Sequence, residues 1–348
     1  MPTPRHFHAP VAATPMAFAR AIVQAYARYG VDPAAALRQA QIAPRQLMQA
    51  DARITAAQFE ALSSYAMQQL DDESLGWFVR RLPWGSYGLL CRASVTAPTL
   101  GVALKRWCRH HRLLTDDVLL RLEVAGGLAR ITVAEQRPLA AEFREFCLVT
   151  LLRYVHGFAC WAIDSRIALR ETTFPFAAPR HAGAYPLMFP GPVHFGAGQA
   201  GYSFDPAYLA LPLVRDEDAM RAMLQRALPL TVRQYRRDRL LVARVREALR
   251  AHPLATATAD SMAGWLHMSV RTLHRQLKEE GASLQALKDE ARQALAAGLL
   301  RRTRKPLKQV ALAAGFRNEK SFARAFRGWT GMPPGEYRLG QRPGAAKA

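Results

Sequence analysis

Arg271, Arg275 and Lys278 recur at spacings of four and three, the separation that stacks side chains on one face of an α-helix. Val270, Leu273 and Leu277 fall on the opposite face, and His274 lies on the flank. Forty-nine residues later the plan returns. Lys320, Arg324 and Arg327 point one way, Phe322 and Phe326 the other, with Glu319 and Ala323 on the flanks. A guanidinium in such a row can donate two hydrogen bonds to O6 and N7 of a guanine, whereas Ala323 offers only apolar contact, such as to a thymine methyl. The chemistry these sets suit is the reading of base edges in a major groove, which admits one α-helix at a time.

Each set needs elements to aim it. In TADSMAGWLHMSVRTLHRQLKEEG, a short helix over about 259–266 ends in a tight turn at His267-Met268. Ser269 then caps a second helix, 270–280, which stops at Gly281. In LKQVALAAGFRNEKSFARAFRGWTG, a helix over 307–314 ends at Gly315, whose missing Cβ suits a left-handed turn, and Asn318 caps the next. Between the units SLQALKDEARQALAAGLLRR reads as one continuous amphipathic helix. A rigid connector of this kind lets two helices enter successive grooves about 34 Å apart. Arg301, Arg302 and Arg304, read as lying beyond that helix, suit phosphates. A cationic amphipathic helix is most often a solvated face. Two in register, each behind a tight turn, exceed that explanation.

Composition agrees. The formal net charge is +21, and residues 229–348 alone hold 24 Lys/Arg against 9 Asp/Glu. A basic terminal third suits a polyanion, because neutralised phosphates release condensed counterions. Length suggests two domains. The four cysteines, Cys91, Cys108, Cys147 and Cys160, form no C-x-x-C pair and sit among apolar residues, so they read as buried free thiols of a reducing cytosol. The run FCLVTLLRYVHGFACWAI is interrupted by Arg153 and His156 and reads as a buried helix rather than a membrane span. No apolar stretch of the secretory kind precedes Ala19. The expected location is the cytoplasm.

The first two-thirds reads as an α+β domain over 10–212, with a small, mostly antiparallel sheet. Thr14 is placed as the cap of a helix ending at Gly30. Asp32-Pro33 starts another, and Thr55-x-x-Gln58 forms a capping box. Residues 74–112 read as helices broken at Pro83-Trp84-Gly85 and at Pro98. VLLRLEV and LARITVA, joined by Ala125-Gly126-Gly127, read as a hairpin. A long helix follows over about 139–163, then short strands near 167–174, 193–195 and 202–204. Residues 213–237 are taken as an interdomain connection, with the chain helical from about Val214, and 238–340 as an all-α domain with two helix-turn-helix units joined by a linker helix.

The segment from Leu240 to Arg338 resembles the DNA-binding domain of the AraC/XylS family, in MSVRTLHRQLKEEG, VALAAGF, SFARAFRGWTGMPPGEYR and RQALAAGLL. The resemblance implies base contacts from Arg271, His274 and Arg275, then Glu319, Lys320, Ala323 and Arg324. His267 stands where that family usually carries Gly. Residues 10–210 resemble the arabinose-binding-type, ornithine-utilisation-regulator-like N-terminal domain of one subgroup, in GLLCRASVTAPTLGVALKRW, YPLMFPGPVHFG and FDPAYLALPL. This implies a module that senses a small-molecule effector, whose identity does not carry over. It also implies promoter DNA and RNA polymerase as partners, leaves room for a homodimer, and favours activation over repression.

Other site-like features carry less. Cys108, His110 and His111 lie close together, but only Cys108 and His111 share a helix face and no fourth ligand is evident, so no metal site is assigned. His156 reads as a satisfied core histidine. Trp84, Tyr87, Trp107, Tyr154, Phe158 and Trp161 could line a pocket, though aromatics so spaced are more often core. No nucleophile elbow, phosphate loop or HExxH is present, and no cofactor is expected. The chief alternative is a DNA-repair alkyltransferase carrying the same DNA-binding unit, which needs an activated cysteine. Another is an architectural DNA binder without an effector.

Overall fold

The computed structural model describes residues 14–225, 238, 240–252, 256 and 258–340. The chain divides into two compact units, residues 1–238 and 239–348. Within the first unit, helices and strands run β1 (Thr14–Pro15), α1 (Met16–Arg28), α2 (Ala34–Gln39), α3 (Pro44–Leu47), β2 (Arg53–Ile54), α4 (Ala56–Leu70), α5 (Ser86–Val95) and α6 (Leu100–Leu114). There follow β3 (Val118–Ala125), β4 (Leu128–Glu135), α7 (Ala141–Ala162), β5 (Leu169–Phe174), α8 (Tyr185–Met188), β6 (Val193–Phe195), β7 (Ala200–Phe204) and α9 (Glu217–Leu224).

The hairpin β3–β4 forms with its turn at Gly126-Gly127, both in the left-handed region. The sheet order is β3-β4-β7-β5-β6, antiparallel except for β5 with β6. Period-two alternation turns Ala129, Ile131 and Val133 inward and leaves Arg130 exposed. α7 packs against β4 and β7 and buries almost its whole length. This explains why its sequence is apolar all round without spanning a membrane. Among the described residues no helix is long and apolar enough to cross one. The fold is α+β, as the hydrophobic periods indicate.

Three local expectations differ. Thr14 caps nothing: with Pro15 it pairs antiparallel to Arg53–Ile54, and Pro15 precedes α1 without a side-chain acceptor. Residues 74–82 are not helical. Asp72, fully buried, collects the backbone N–H groups of Ser74, Gly76 and Leu82 and the hydroxyls of Ser74 and Tyr29. That local satisfaction replaces the helical ladder. Past Val214 the chain stays extended until Asp216, whose carboxylate accepts from Ala219 N and starts α9. This helix lies within the segment read as connection, yet Met220 is fully buried and α9 packs on α5. Residues 226–237 of that segment lie outside the described residues.

Candidate nucleic-acid interface

The second unit continues with α10 (Leu240–Ala251), α11 (Ala259–Trp265), α12 (Val270–Glu279), α13 (Leu284–Arg302), α14 (Leu307–Ala313), α15 (Glu319–Thr330) and α16 (Pro334–Gly340). Each helix of a reading pair is stopped and started by local chemistry. Thr258 caps α11 in a capping box with Ser261. Ser269 caps α12, its Oγ accepting from Thr272 N at 3.1 Å. Asn318 caps α15, its Oδ1 accepting from Ser321 N at 2.8 Å. α11 and α14 end in the same double closure. Met268 N donates to Ala263 O and His267 N to Gly264 O; Phe316 N donates to Ala311 O and Gly315 N to Leu312 O.

Those closures repeat at an offset of 48 residues, whereas the caps and the helices after them repeat at 49. The second turn is therefore one residue longer, at Arg317. A uniform 49-residue repeat aligns α12 with α15 but misaligns the helices in front of them.

Two small cores hold the pairs. Leu273 and Leu277 are fully buried with Met262, Ala263, Leu266 and residues of α10. Val270, expected buried, is half-buried at the rim of that core. Glu280 accepts from Leu241 N and Val242 N, fixing the start of α10. Phe322 and Phe326 are fully buried with Val310, Ala311 and Ala314. α13 joins the two, contributing Leu284 and Leu287 to the first core and Ala296 and Leu300 to the second. Arg292 on α13 lies over the Phe316 ring at 5.4 Å, beside the left-handed Gly315.

The faces left over carry the candidate residues. Arg271, His274, Arg275 and Lys278 are exposed on α12. Glu319, Lys320, Arg324 and Arg327 are exposed on α15, and Ala323 is half-buried. Arg275 forms a 2.8 Å ion pair with Glu279 one turn on. A surface pair of this kind is weak, so the guanidinium can exchange partners. Arg301 and Arg302 belong to the last turn of α13 rather than lying beyond it; Arg304 follows it, and all three are exposed.

His267 has φ 55°, a left-handed conformation that costs a residue with a Cβ of order 1 kcal/mol. Gly315 fills the equivalent place in the second pair. His267→Gly is expected to stabilise the second unit by up to about 1 kcal/mol in urea unfolding, less the flexibility that glycine adds to the unfolded chain. An unchanged or lower midpoint would show that the strain at His267 does not exceed the flexibility that glycine adds.

The cysteines are all buried. Burial pushes Cys91, Cys108 and Cys160 up to about 12, the reverse of what an alkyl acceptor needs. Among the described residues no group of three metal-binding side chains forms. His156 Nε2 lies 3.0 Å from Ile167 O, so that ring has its partner. Of the aromatic set, Tyr87 meets Tyr154 and Phe158 meets both Trp107 and Trp161, whereas Trp84 is half exposed. An open cavity of about 320 Å³ lies over the sheet beside Arg130, Thr132, Glu171 and Thr173, where Arg130 and Glu171 pair with each other at 2.9 Å.

Residues 30–213 match the arabinose-binding domain of AraC transcription regulators, N-terminal, and residues 262–340 match a helix-turn-helix domain. The ornithine utilization regulator of Pseudomonas aeruginosa is 29% identical over 93% of this chain and 96% of its own length. The HTH-type transcriptional regulator VirS of Mycobacterium tuberculosis is 26% identical over 89% of this chain and 91% of its own. The crystal structure of the transcriptional regulator CdpR from Pseudomonas aeruginosa aligns over 93% of this chain and 98% of that chain, at 21% identity and a TM-score of 0.32.

Proposed function

The chain belongs to the AraC family of transcription regulators, and from that premise we propose that it is an effector-responsive activator that reads promoter DNA with α12 and α15. It is a DNA-binding regulator rather than an enzyme. The observation that carries the finer reading is the pairing of two capped helices on one connector, each with a cationic face free and an apolar face spent on its own core. Arg271, His274, Arg275 and Lys278 form one reading set. Glu319, Lys320, Ala323, Arg324 and Arg327 form the other. Unit 1 senses a small molecule, and the unit boundary near residue 238 divides sensing from DNA binding. The chain works in the cytoplasm with RNA polymerase. Ornithine, in a relative's name, is not transferred as the effector at 29% identity.

Arg271→Ala and Arg275→Ala are each expected to weaken binding at the cognate site by about 1–3 kcal/mol and to relax preference at one or two base pairs. Arg302→Ala is expected to weaken binding evenly across sequences and lower the salt slope by about one. A base-by-base binding profile, with circular dichroism of each variant, separates the two behaviours. Folded Arg271 and Arg275 variants that keep every base preference would remove these side chains from the reading set.

A further inference from the structure

Most buried polar side chains of unit 1 have partners. The hydroxyls of Tyr26, Tyr29 and Tyr185 donate to Gln69, Asp72 and Glu145, and His156 meets Ile167 O. Ser63, Trp77 and Arg166 each leave one buried atom unpaired, and the other exceptions gather where α5, α6 and α7 meet. The Tyr87 hydroxyl and both ring nitrogens of His111 are buried with no hydrogen-bond partner among the described residues. His111 is itself fully buried. The Tyr87 ring lies 6.2 Å from the His111 ring and 4.6 Å from that of Tyr154. Ser94, two turns along the same stripe of α5, is also buried with an unpaired hydroxyl. The nearby carboxylates are already engaged: Glu73 accepts from Gly85 N and Tyr87 N, both at 2.7 Å, and Asp72 holds its own loop. Unpaired polar atoms destabilise a core, so these do not serve the fold.

We propose that these atoms are the effector site of unit 1, closed in this structure, and that the effector is a small uncharged aromatic molecule bearing a hydroxyl or amide. The proposal rests on the reading that unit 1 senses an effector. Its chemistry follows from the lining. Burial holds His111 neutral at physiological pH and keeps the Tyr87 hydroxyl protonated. Together they offer donors and acceptors without formal charge. A carboxylate or zwitterion would give up its hydration, and neither Tyr87 nor neutral His111 offers it a counter-charge. Aromatic rings flank these atoms. Trp107, one turn before His111 on α6, contacts Phe158, one turn after Tyr154 on α7.

The placement also supplies a route outward. Gly88 follows Tyr87 on α5, and a Cβ there would lie 3.6 Å from Leu224, the last residue of α9. From α9 the chain runs on to the DNA-binding unit. A ligand that reaches the buried atoms must part α5 from α6 and α7, and so moves the surface on which α9 rests. Its effect on DNA affinity equals its preference for the parted state.

The test uses the full-length protein with phenol and benzamide as probes and benzoate as control, read by melting temperature and by DNA affinity. Tyr87→Phe and His111→Leu are the variants. Without a probe, both variants should melt at or above the wild-type temperature, because each removes an unpaired polar atom. Phenol or benzamide should raise the wild-type melting temperature and change DNA affinity, and benzoate should do neither. Each variant should bind the probes about tenfold more weakly, the loss expected for one hydrogen bond. The site is overturned if neither probe acts on the wild type, if the variants bind the probes undiminished, or if both variants melt lower. A metabolite of another class that shifts DNA affinity equally in wild type and variants would overturn this site while leaving effector control standing. Failure of every compound in a broad metabolite screen would overturn both.

Discussion

Phe326→Ala is expected to remove about 3–5 kcal/mol of stability from the second unit, the usual cost of deleting a large buried aromatic ring. Phe326 is fully buried, packs 5.6 Å from Phe322 and meets Tyr337 edge-on at 5.2 Å. Ala296 and Leu300 of α13 share that core. Small domains hold only about 5–15 kcal/mol in total, so the loss takes much of the unit's margin and leaves α15 poorly seated. Arg324→Ala, two residues before it and on the exposed face, is expected to stay within about 0.5 kcal/mol of wild type in stability. Both should weaken DNA binding, one by unseating the helix and the other by removing a contact. Urea unfolding of the two variants distinguishes them. A Phe326 variant within 1 kcal/mol of wild type, against the cavity cost above, would mean that this core repacks freely.

Acidification is expected to destabilise the first unit between about pH 6.5 and pH 4. Burial pushes His111 and His156 down from 6.5 to about 4. Around His156, Arg153 and Arg166 press the same way, and the contact with Ile167 O opposes them. In the unfolded chain both rings take a proton near 6.5; in the folded chain they do so only near 4. Between those values the unfolded state binds more protons, so stability is complete above pH 6.5 and falls as pH drops. Each shift corresponds to about 3 kcal/mol at full loss. Glu73, whose carboxyl burial pushes up, works in the opposite sense. Comparing urea midpoints of wild type, His111→Gln and His156→Gln across that range isolates the histidines, because Glu73 is common to all three. Parallel curves would mean that neither ring is held neutral by the fold.

What could be read in the amino-acid order was largely what depends on neighbours in the chain. Thr55, Ser269 and Asn318 act on groups three residues away, so residue type and spacing suffice to place helix starts. The buried and exposed faces of α12 and α15 follow from period alone. The misses are non-local. Asp72 organises its loop by reaching Tyr29 and Leu82, and Thr14 is claimed by a strand nearly forty residues on. The insertion of β7 between β4 and β5 has no local signature. Arg317 escaped because two matching recognition helices conceal a turn of different length. His111 is the instructive case. Its spacing from Cys108 raises the question of a metal, but only packing reveals that Tyr87 closes over it and that neither ring nitrogen is used.

The connector α13 has a consequence for where such a protein can act in a genome. It is 19 residues of unbroken helix, about 28 Å long, with one end built into each core. On the proposed reading, in which α12 and α15 each read one word, the distance between the words is a property of the protein and not of the promoter. Point changes within either word erode affinity by degrees, but one inserted or deleted base pair between them rotates the second word around the duplex and out of register. Its binding sites should drift in spelling and stay constant in spacing, so one weight matrix with a fixed gap should find them all.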